Sequence, residues 1–204
     1  MTRIFIDTET SGLVPGQIGQ LAIITEEENG DIKANNYFFN MDYISDGAEK
    51  VTGRNLDFYR EASAEKKFAD YKDELFRELT RGILIAHNLP FDENFISTEF
   101  WRLNMTFRPA DRFDTMEYFR DVCKLPNPKN RYKGYKNPKL SELIEYYNID
   151  QEKIELYTKK LFNIQSGTCF HDAMYDTTAM FVAFHVRQDE LLRVNNWTST
   201  FCNK

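Results

Sequence analysis

Three short acidic segments carry the residues with the clearest capacity for chemistry. The segment DTE places Asp7 and Glu9 two positions apart, directly after an apolar run. Asp92 follows a second apolar run in AHNLPFDENF, and HDAMYD places His171 five residues before Asp176. Carboxylate oxygens are the ligands that Mg²⁺ and Mn²⁺ prefer, and a histidine with an ordinary pKa near ~6.5 exchanges protons at neutral pH. If the fold brings these side chains together, they indicate acid–base chemistry at bound divalent cations.

The first pair is informative because side chains on a strand alternate between its two faces. Asp7 and Glu9 are therefore expected to point to the same face, with Thr8 on the other. Two carboxylates at one strand end repel each other unless a cation lies between them. Ordinary surface acids also produce such pairs, so this one does not define a metal site alone.

The other two segments have simpler structural interpretations as well. Asp92 can cap a helix or lie in its first turn. His171 can form a hydrogen bond to the backbone at the start of another helix. Asp176 lies among residues that look packed and needs a partner there. Adjacent His and Asp residues also occur in HD-type metal phosphohydrolases. That class needs further histidine ligands on an all-helical scaffold, and the strands expected here argue against it.

Apolar runs and periodicities predict the elements that must position these residues. Stretches of strand length lie at 3–8, 19–25, 32–41, 82–88 and 111–116. Apolar residues at three- and four-residue spacing predict helices over 64–80, around 95–101, over 140–147 and from about 172 towards 192. Asn29 and Gly30 favour a tight hairpin between the second and third strands. This order predicts an α/β fold with a mixed five-stranded sheet, an antiparallel edge hairpin and helices on both faces.

The composition favours one folded unit: a single domain over 1–204, with a core at about 3–190 and a short C-terminal tail at 191–204. The formal net charge is −6, so a role on nucleic acid has to depend on a local site. Three cysteines without CxxC spacing disfavour a disulfide framework or a zinc site. Neither a signal peptide nor an apolar run near the ~18 residues of a membrane span is recognisable. A cytoplasmic protein without membrane contact is therefore expected.

One segment, KLPNPKNRYKGYKNPK at 124–139, is basic within this acidic chain. Its three prolines and one glycine predict a loop. Cations interleaved with aromatic rings can contact phosphates and stack on bases, so the segment is a candidate nucleic-acid contact. The alternative is a solubilising surface loop. The residues expected to make the contact are Lys129, Arg131, Tyr132, Lys133, Tyr135 and Lys136.

Taken in order, DTETSG, AHNLPFDENF and HDAMYD resemble the three motifs of the DEDDh family of 3′–5′ exonucleases, which has a ribonuclease H-like fold. The chain is similar in this respect to the proofreading exonuclease subunit of bacterial DNA polymerase III. VTG at 51–53 resembles the family's segment after the third strand, and NPKLSELIEYYNI at 137–149 resembles the helix before the last motif. The resemblance covers about 4–184. The basic segment 124–139 is longer than the family's usual connection. Family members often carry an apolar residue where Asp172 stands, so Asp172 is expected to cap the helix.

The resemblance implies that two divalent cations, Mg²⁺ or Mn²⁺, are held by four acids: Asp7, Glu9, Asp92 and Asp176. It implies that His171 is the general base for hydrolysis of the terminal phosphodiester, which releases a nucleoside monophosphate. Substrate contacts are expected from a further set of residues: Thr8, Thr10, Gly12, His87 and Asn88. The histidine and asparagine of this set either contact the terminal nucleotide or shape the strand end.

Three functions follow from this sequence. The first is a metal-dependent 3′–5′ exonuclease acting on single-stranded or frayed DNA ends in replication and repair, working alone, docked on a DNA polymerase or self-associated. The second is an RNA-trimming exoribonuclease of the same family, because the sequence does not show how the site treats the 2′-hydroxyl. The third is a non-catalytic nucleic-acid-binding module, which the presence of all five expected functional residues disfavours.

Overall fold

A mixed five-stranded sheet forms the centre of the protein, in a computed structural model that describes residues 1–127, 134–165, 167, 168 and 170–187. The strands are β1 Arg3–Thr10, β2 Ile18–Glu26, β3 Ile32–Phe38, β4 Ile83–Ala86 and β5 Asp111–Asp114. Their order in the sheet is β3-β2-β1-β4-β5. β2 pairs antiparallel with both β1 and β3, whereas β4 pairs parallel with β1 and β5. The predicted α/β fold with its antiparallel edge hairpin is confirmed.

Helices pack on both faces of this sheet. They are α1 Asp46–Thr52, α2 Leu56–Ala62, α3 Lys72–Thr80, α4 Leu89–Arg102, α5 Thr115–Cys123, α6 Leu140–Tyr146, α7 Gln151–Phe162 and α8 Ala173–Arg187. The helices predicted around 95–101 and over 140–147 correspond to α4 and α6, and the last predicted helix corresponds to α8. Its predicted end near 192 and the tail at 191–204 lie outside the described residues. Among the described helices, none has the length and apolarity to span a bilayer.

The helix predicted over 64–80 begins later than expected. Ala64 and Glu65 have left-handed φ angles of 50° and 64°, which a right-handed helix does not include. A 3₁₀-helix at Phe68–Tyr71 then leads into α3. The expected apolar stripe is present in α3, where Leu75 and Leu79 are buried.

Four helices, α1, α2, α5 and α7, had no predicted counterpart. For α1 and α2 the physical reason is that they bury almost no side chains, so their sequences carry no apolar stripe. α1 buries none of its residues, and α2 buries only Tyr59. Local caps mark where these helices begin. At the start of α1, the Ser45 side chain accepts a hydrogen bond from the Ala48 N–H.

The alternation of side chains along β1 divides the core into two layers. Ile6 packs in the cluster that lies against α3 and α4. Phe5 points to the other face, where its ring meets the ring of Phe181 in α8 edge-on, with centroids 5.0 Å apart. Asp7 continues the face of Phe5 toward α8, and Thr8 continues the face of Ile6 toward α4. The strand end therefore presents polar groups to both layers.

Candidate active site

Three carboxylates converge where β1 ends. Asp7 and Glu9 extend from β1, and Asp176 lies in the first turn of α8. One carboxylate oxygen from each lies within 4.8 Å of the other two. Between the pairs Glu9–Gln20 and Thr10–Ile18 the register of the two strands shifts, because β2 carries one extra residue, Gly19, opposite the end of β1. The structure thus brings together three of the four acids that the sequence nominates as metal ligands.

The fourth acid, Asp92, reaches the same strand end from the opposite layer. It lies in the first turn of α4 and is buried, with 3% of its surface exposed. Thr8 Oγ1 donates a hydrogen bond to Asp92 Oδ1 at 2.7 Å. Asp92 is not part of the group that lies within 4.8 Å, but its charge raises the pKa of Asp7. Thr8, expected to contact substrate, holds this carboxylate in the structure.

Burial makes these carboxyl groups hard to ionise together. Desolvation raises the pKa of Glu9 to about 8, with the Asp176 charge as the next cause. Desolvation also raises the pKa values of Asp92 and Asp176, each to about 7, and raises the pKa of Asp7 well above its ordinary value. The site therefore stores electrostatic repulsion that bound cations would relieve.

His171 lies in the turn that precedes α8, as the sequence predicts. Its side chain is exposed, and its backbone N–H donates to Asp176 Oδ2 at 3.2 Å. Its φ of 67° is in the left-handed region, which is uncommon for a residue other than glycine. The backbone of His171 is thus tied directly to one acid of the cluster.

Asp172 caps α8, which confirms the expectation from the sequence. Its Oδ1 accepts a hydrogen bond from the Met174 N–H at 3.0 Å. The structure adds a partner that the sequence did not suggest, because Asp172 also forms an ion pair with Arg54. The Arg54 charge lowers the pKa of Glu9 and so opposes the effect of burial there. No motif marks Arg54, which directly follows the VTG segment.

A cavity of about 370 Å³ adjoins the acid cluster. Its lining combines the end of β1, the loop after it, helix α1 and one ring from α4: Thr8, Glu9, Thr10, Gly12, Leu13, Ser45, Gly47, Ala48, Val51, Thr52 and Phe91. Thr10 Oγ1 donates to the Gly12 carbonyl at 2.9 Å, which shapes the turn at the cavity edge. Three of the residues expected to contact substrate, Thr8, Thr10 and Gly12, therefore line one concave surface.

His87 and Asn88 are engaged within the protein. His87 Nδ1 lies 3.0 Å from Thr115 Oγ1, and Nε2 lies 2.9 Å from the Pro138 carbonyl oxygen. Burial lowers the pKa of His87, so the neutral ring is favoured. Asn88 caps α4 with a left-handed φ of 76°, and its N–H donates to Asp114 Oδ1 at 3.2 Å. These contacts match the alternative that the two residues shape the strand end, and a contact with the terminal nucleotide stays a prediction.

The structure describes two of the candidate contact residues in the basic segment, Tyr135 and Lys136. Tyr135 is 44% exposed and pairs with Pro126 in an isolated antiparallel bridge. Lys136 Nζ forms an ion pair with Glu142, and its N–H donates to the Leu125 carbonyl at 3.0 Å. Lys129, Arg131, Tyr132 and Lys133 lie outside the described residues. The nucleic-acid contact stays a prediction, and the Lys136 cation already has a carboxylate partner.

Comparison with known proteins assigns the family. A family model described as RNase_T, exonuclease, matches residues 4–184. The chain belongs to this exonuclease family. The assignment confirms the resemblance to DEDD-type 3′–5′ exonucleases, which are enzymes that hydrolyse nucleic acid.

Curated relatives of this exonuclease domain are much longer than the chain. The 3′-5′ exonuclease DinG of Staphylococcus saprophyticus is 29% identical over 147 residues, which cover 71% of this chain and 15% of that protein. The 3′-5′ exonuclease DinG of Staphylococcus haemolyticus is 34% identical over 82 residues, 40% of this chain and 8% of that protein. The chain thus aligns with only a small part of the relatives that it matches.

Solved exonuclease structures share the fold. Exonuclease X in complex with 5′ overhanging duplex DNA superposes with a TM-score of 0.60 at 20% identity, covering 92% of this chain and 93% of that chain. Escherichia coli Exonuclease I in complex with a dT13 oligonucleotide superposes with a TM-score of 0.67 at 18% identity, covering 96% of this chain and 43% of that chain. At these identities the likeness shows the ribonuclease H-like architecture.

Proposed function

We propose that this chain is a metal-dependent 3′–5′ exonuclease that removes nucleoside monophosphates from DNA ends. The observation that carries the proposal is the convergence of Asp7, Glu9 and Asp176, whose carboxylate oxygens lie within 4.8 Å of one another. Asp92 adds a buried carboxylate whose charge raises the pKa of Asp7. Bringing unpaired acids together lowers the stability of the folded state. Carboxyl groups whose pKa values are perturbed by burial and like charge are typical of functional sites.

The donor set fits Mg²⁺ or Mn²⁺, which favour hard oxygen ligands. Asp176 Oδ1 supports this fit, because it is buried and has no hydrogen-bond partner in the part of the chain that the structure describes. We assign the ligands as Asp7, Glu9, Asp92 and Asp176. When bound, two such cations neutralise the charge that develops on the attacking and leaving oxygens at phosphorus.

We assign the proton transfer to His171. His171 is exposed, and its backbone N–H donates to Asp176 of the acid cluster. The imidazole accepts the proton of the attacking water as the new P–O bond forms. The bond from phosphorus to the 3′ oxygen of the penultimate nucleotide then breaks. The leaving 3′ oxygen takes up a proton from solvent, so the shortened strand ends in a 3′-hydroxyl and the released nucleotide carries a 5′-phosphate.

The cavity beside the cluster is the proposed site of the terminal nucleoside. Leu13, Val51 and Phe91 supply apolar surface there, and Thr10 and Gly12 supply backbone groups at its edge. DNA is the favoured substrate, because Exonuclease X and Exonuclease I, which share the fold, are described in complexes with DNA. Docking on a DNA polymerase stays a prediction, and so does association with a second copy of the chain. Analytical sedimentation of the chain alone tests the self-association.

A matched substrate panel tests this function. DNA and RNA strands of one sequence, labelled at the 5′ end, are incubated with Mg²⁺, Mn²⁺ or EDTA. We expect DNA to shorten stepwise from its 3′ end only with a divalent cation. Asp7→Asn should lower the rate at least ~100-fold, since it removes one cation ligand from the cluster. Asp73→Asn, an exposed acid on α3, is the control and should leave the rate unchanged.

The alternatives give different results in the same panel. Faster shortening of RNA than of DNA would favour the exoribonuclease. Binding of the strands without cleavage in Mn²⁺ would indicate the non-catalytic module. Full activity of Asp7→Asn would refute the proposed metal site.

A further inference from the structure

Arg54 is a largely buried cation beside the acid cluster. Its Nη1 donates to Gln20 Oε1 and its Nη2 donates to Asp172 Oδ2, both at 2.5 Å. Its guanidinium also lies over the ring of Phe58, 4.9 Å from the ring centroid. Only 17% of the Arg54 side chain is exposed. The guanidinium lies over a second ring as well, that of Phe38, 5.6 Å from the centroid. A planar donor that is held by two acceptors and two rings has a single well-defined position.

Asp172 transmits this position to the start of α8. Its Oδ1 accepts from Gln20 Nε2 at 3.1 Å and from the Met174 N–H at 3.0 Å. Its backbone carbonyl accepts from the Asp176 N–H at 3.0 Å. One residue therefore joins the Arg54 cation to the helical turn that carries the cluster acid.

The backbone next to Asp172 needs such support. His171 has a φ of 67°, a conformation that L residues other than glycine seldom adopt. Backbone angles of this kind persist only where the surroundings hold them. Here His171 is held on one side by its N–H bond to Asp176, and on the other by the anchored Asp172.

Arg54 also contacts the wall of the cavity. Its backbone N–H donates to Thr52 Oγ1 at 3.2 Å, and Thr52, the last residue of α1, lines the cavity. Gly53 ends α1 with a left-handed φ of 69°, so the chain turns there directly into Arg54. The same residue thus connects the helix that borders the cavity with the turn that carries His171.

We propose that Arg54 is a positioning residue that clamps Asp172 and thereby fixes the His171 turn against the cavity wall formed by α1. The proposal rests on the proposed function, in which His171 transfers the proton. It predicts that loss of the clamp lowers turnover more than substrate binding, because the cavity and the four acids are still present when the base is misplaced.

Four variants test the clamp: Arg54→Met, Arg54→Lys, Asp172→Asn and the double variant R54M/D172N. Arg60→Ala is the matched control, because Arg60 lies on the adjacent helix α2 in an exposed ion pair with Asp57. We expect R54M to lower kcat on single-stranded DNA about 10- to 100-fold at saturating Mg²⁺, with a smaller change in KM. R54K should recover part of the loss. The kcat of R54M/D172N should be no lower than that of the less active single variant, because both substitutions remove the same ion pair.

Amide hydrogen exchange without metal gives a second reading that does not require activity. The Met174 amide should exchange faster in R54M than in the wild type or in R60A, since its acceptor Asp172 is no longer anchored. Unchanged Met174 exchange in R54M, or a kcat within twofold of the wild type, would overturn the clamp. An inactive wild type would refute the proposed function instead, and faster exchange at Met174 would still support the clamp.

Discussion

Replacing Asp176 with asparagine should stabilise the metal-free protein at alkaline pH. Burial raises the pKa of this carboxyl from an ordinary 3.8 to about 7, with the Asp172 charge as a further cause. A raised pKa means that the folded state favours the protonated form. The stability that this gives is complete below pH 3.8 and is lost as the pH rises through about 7. Asparagine stays neutral throughout and keeps a similar shape.

The size of the effect follows from this shift. A pKa difference from 3.8 to about 7 corresponds to about 4 kcal/mol at a pH above both values. The neighbouring acids Asp7 and Glu9 share the repulsion, so protonating one of them relieves part of it. We therefore expect D176N to exceed the wild type by roughly 2–4 kcal/mol at pH 8 and by almost nothing near pH 4.

Thermal unfolding in EDTA between pH 4.5 and pH 8.5 measures this difference. At pH 8 the Tm of D176N should lie roughly 5–10 °C above that of the wild type, from the usual entropy of unfolding for this chain length. Added Mg²⁺ should stabilise the wild type and stabilise D176N less, because one ligand is missing. Asp73→Asn serves as the control and should follow the wild type at every pH.

Two results would refute the reasoning. Equal Tm values for D176N and the wild type at pH 8 in EDTA would show that the ionised Asp176 carboxylate does not destabilise the folded state. A difference that stays constant as the pH falls would show that ionisation of Asp176 is not its cause.

Two further substitutions test contacts at the two ends of β1, and each is compared with a milder variant. Thr8→Val removes the hydroxyl that donates to buried Asp92 and should lower the free energy of unfolding in urea at pH 8 by about 1–3 kcal/mol, whereas Thr8→Ser should lose less. Gly82→Ala should destabilise by about 1–3 kcal/mol or more, because its Cβ would lie 2.4 Å from the Thr2 carbonyl oxygen. Gly30→Ala meets no atom within 4 Å and should cost only about 1 kcal/mol for its φ of 87°. Equal losses in the two glycine variants would contradict the close packing at Gly82.

Local patterns in the sequence were sufficient for much of the sheet and for the choice of site residues. The Asn29–Gly30 pair correctly predicted the β2–β3 hairpin, because a tight turn with positive φ restricts which residues can form it. The alternation along β1 correctly placed Asp7 and Glu9 on one face. Signals of this kind depend only on neighbours in the chain, so the sequence carries them without the fold.

The short helices α1 and α2 show which elements local sequence patterns do not predict. α1 and α2 were not predicted, since they bury one side chain or none and so lack an apolar stripe. α1 nevertheless forms part of the cavity wall, and Arg54 lies between the two helices. Their position is set by caps and by contacts with the rest of the fold.

By itself, the sequence determined the types of the reactive groups, their order along the chain and the strands and helices that carry most of them. Only the tertiary structure decided which of these groups meet. It paired Thr8 with Asp92 across 84 positions and Arg54 with Asp172 across 118 positions, and it turned His87 inward onto the Pro138 carbonyl. Periodicity and turn chemistry report the local conformation of a segment, whereas these contacts depend on which segments become neighbours when the core is packed.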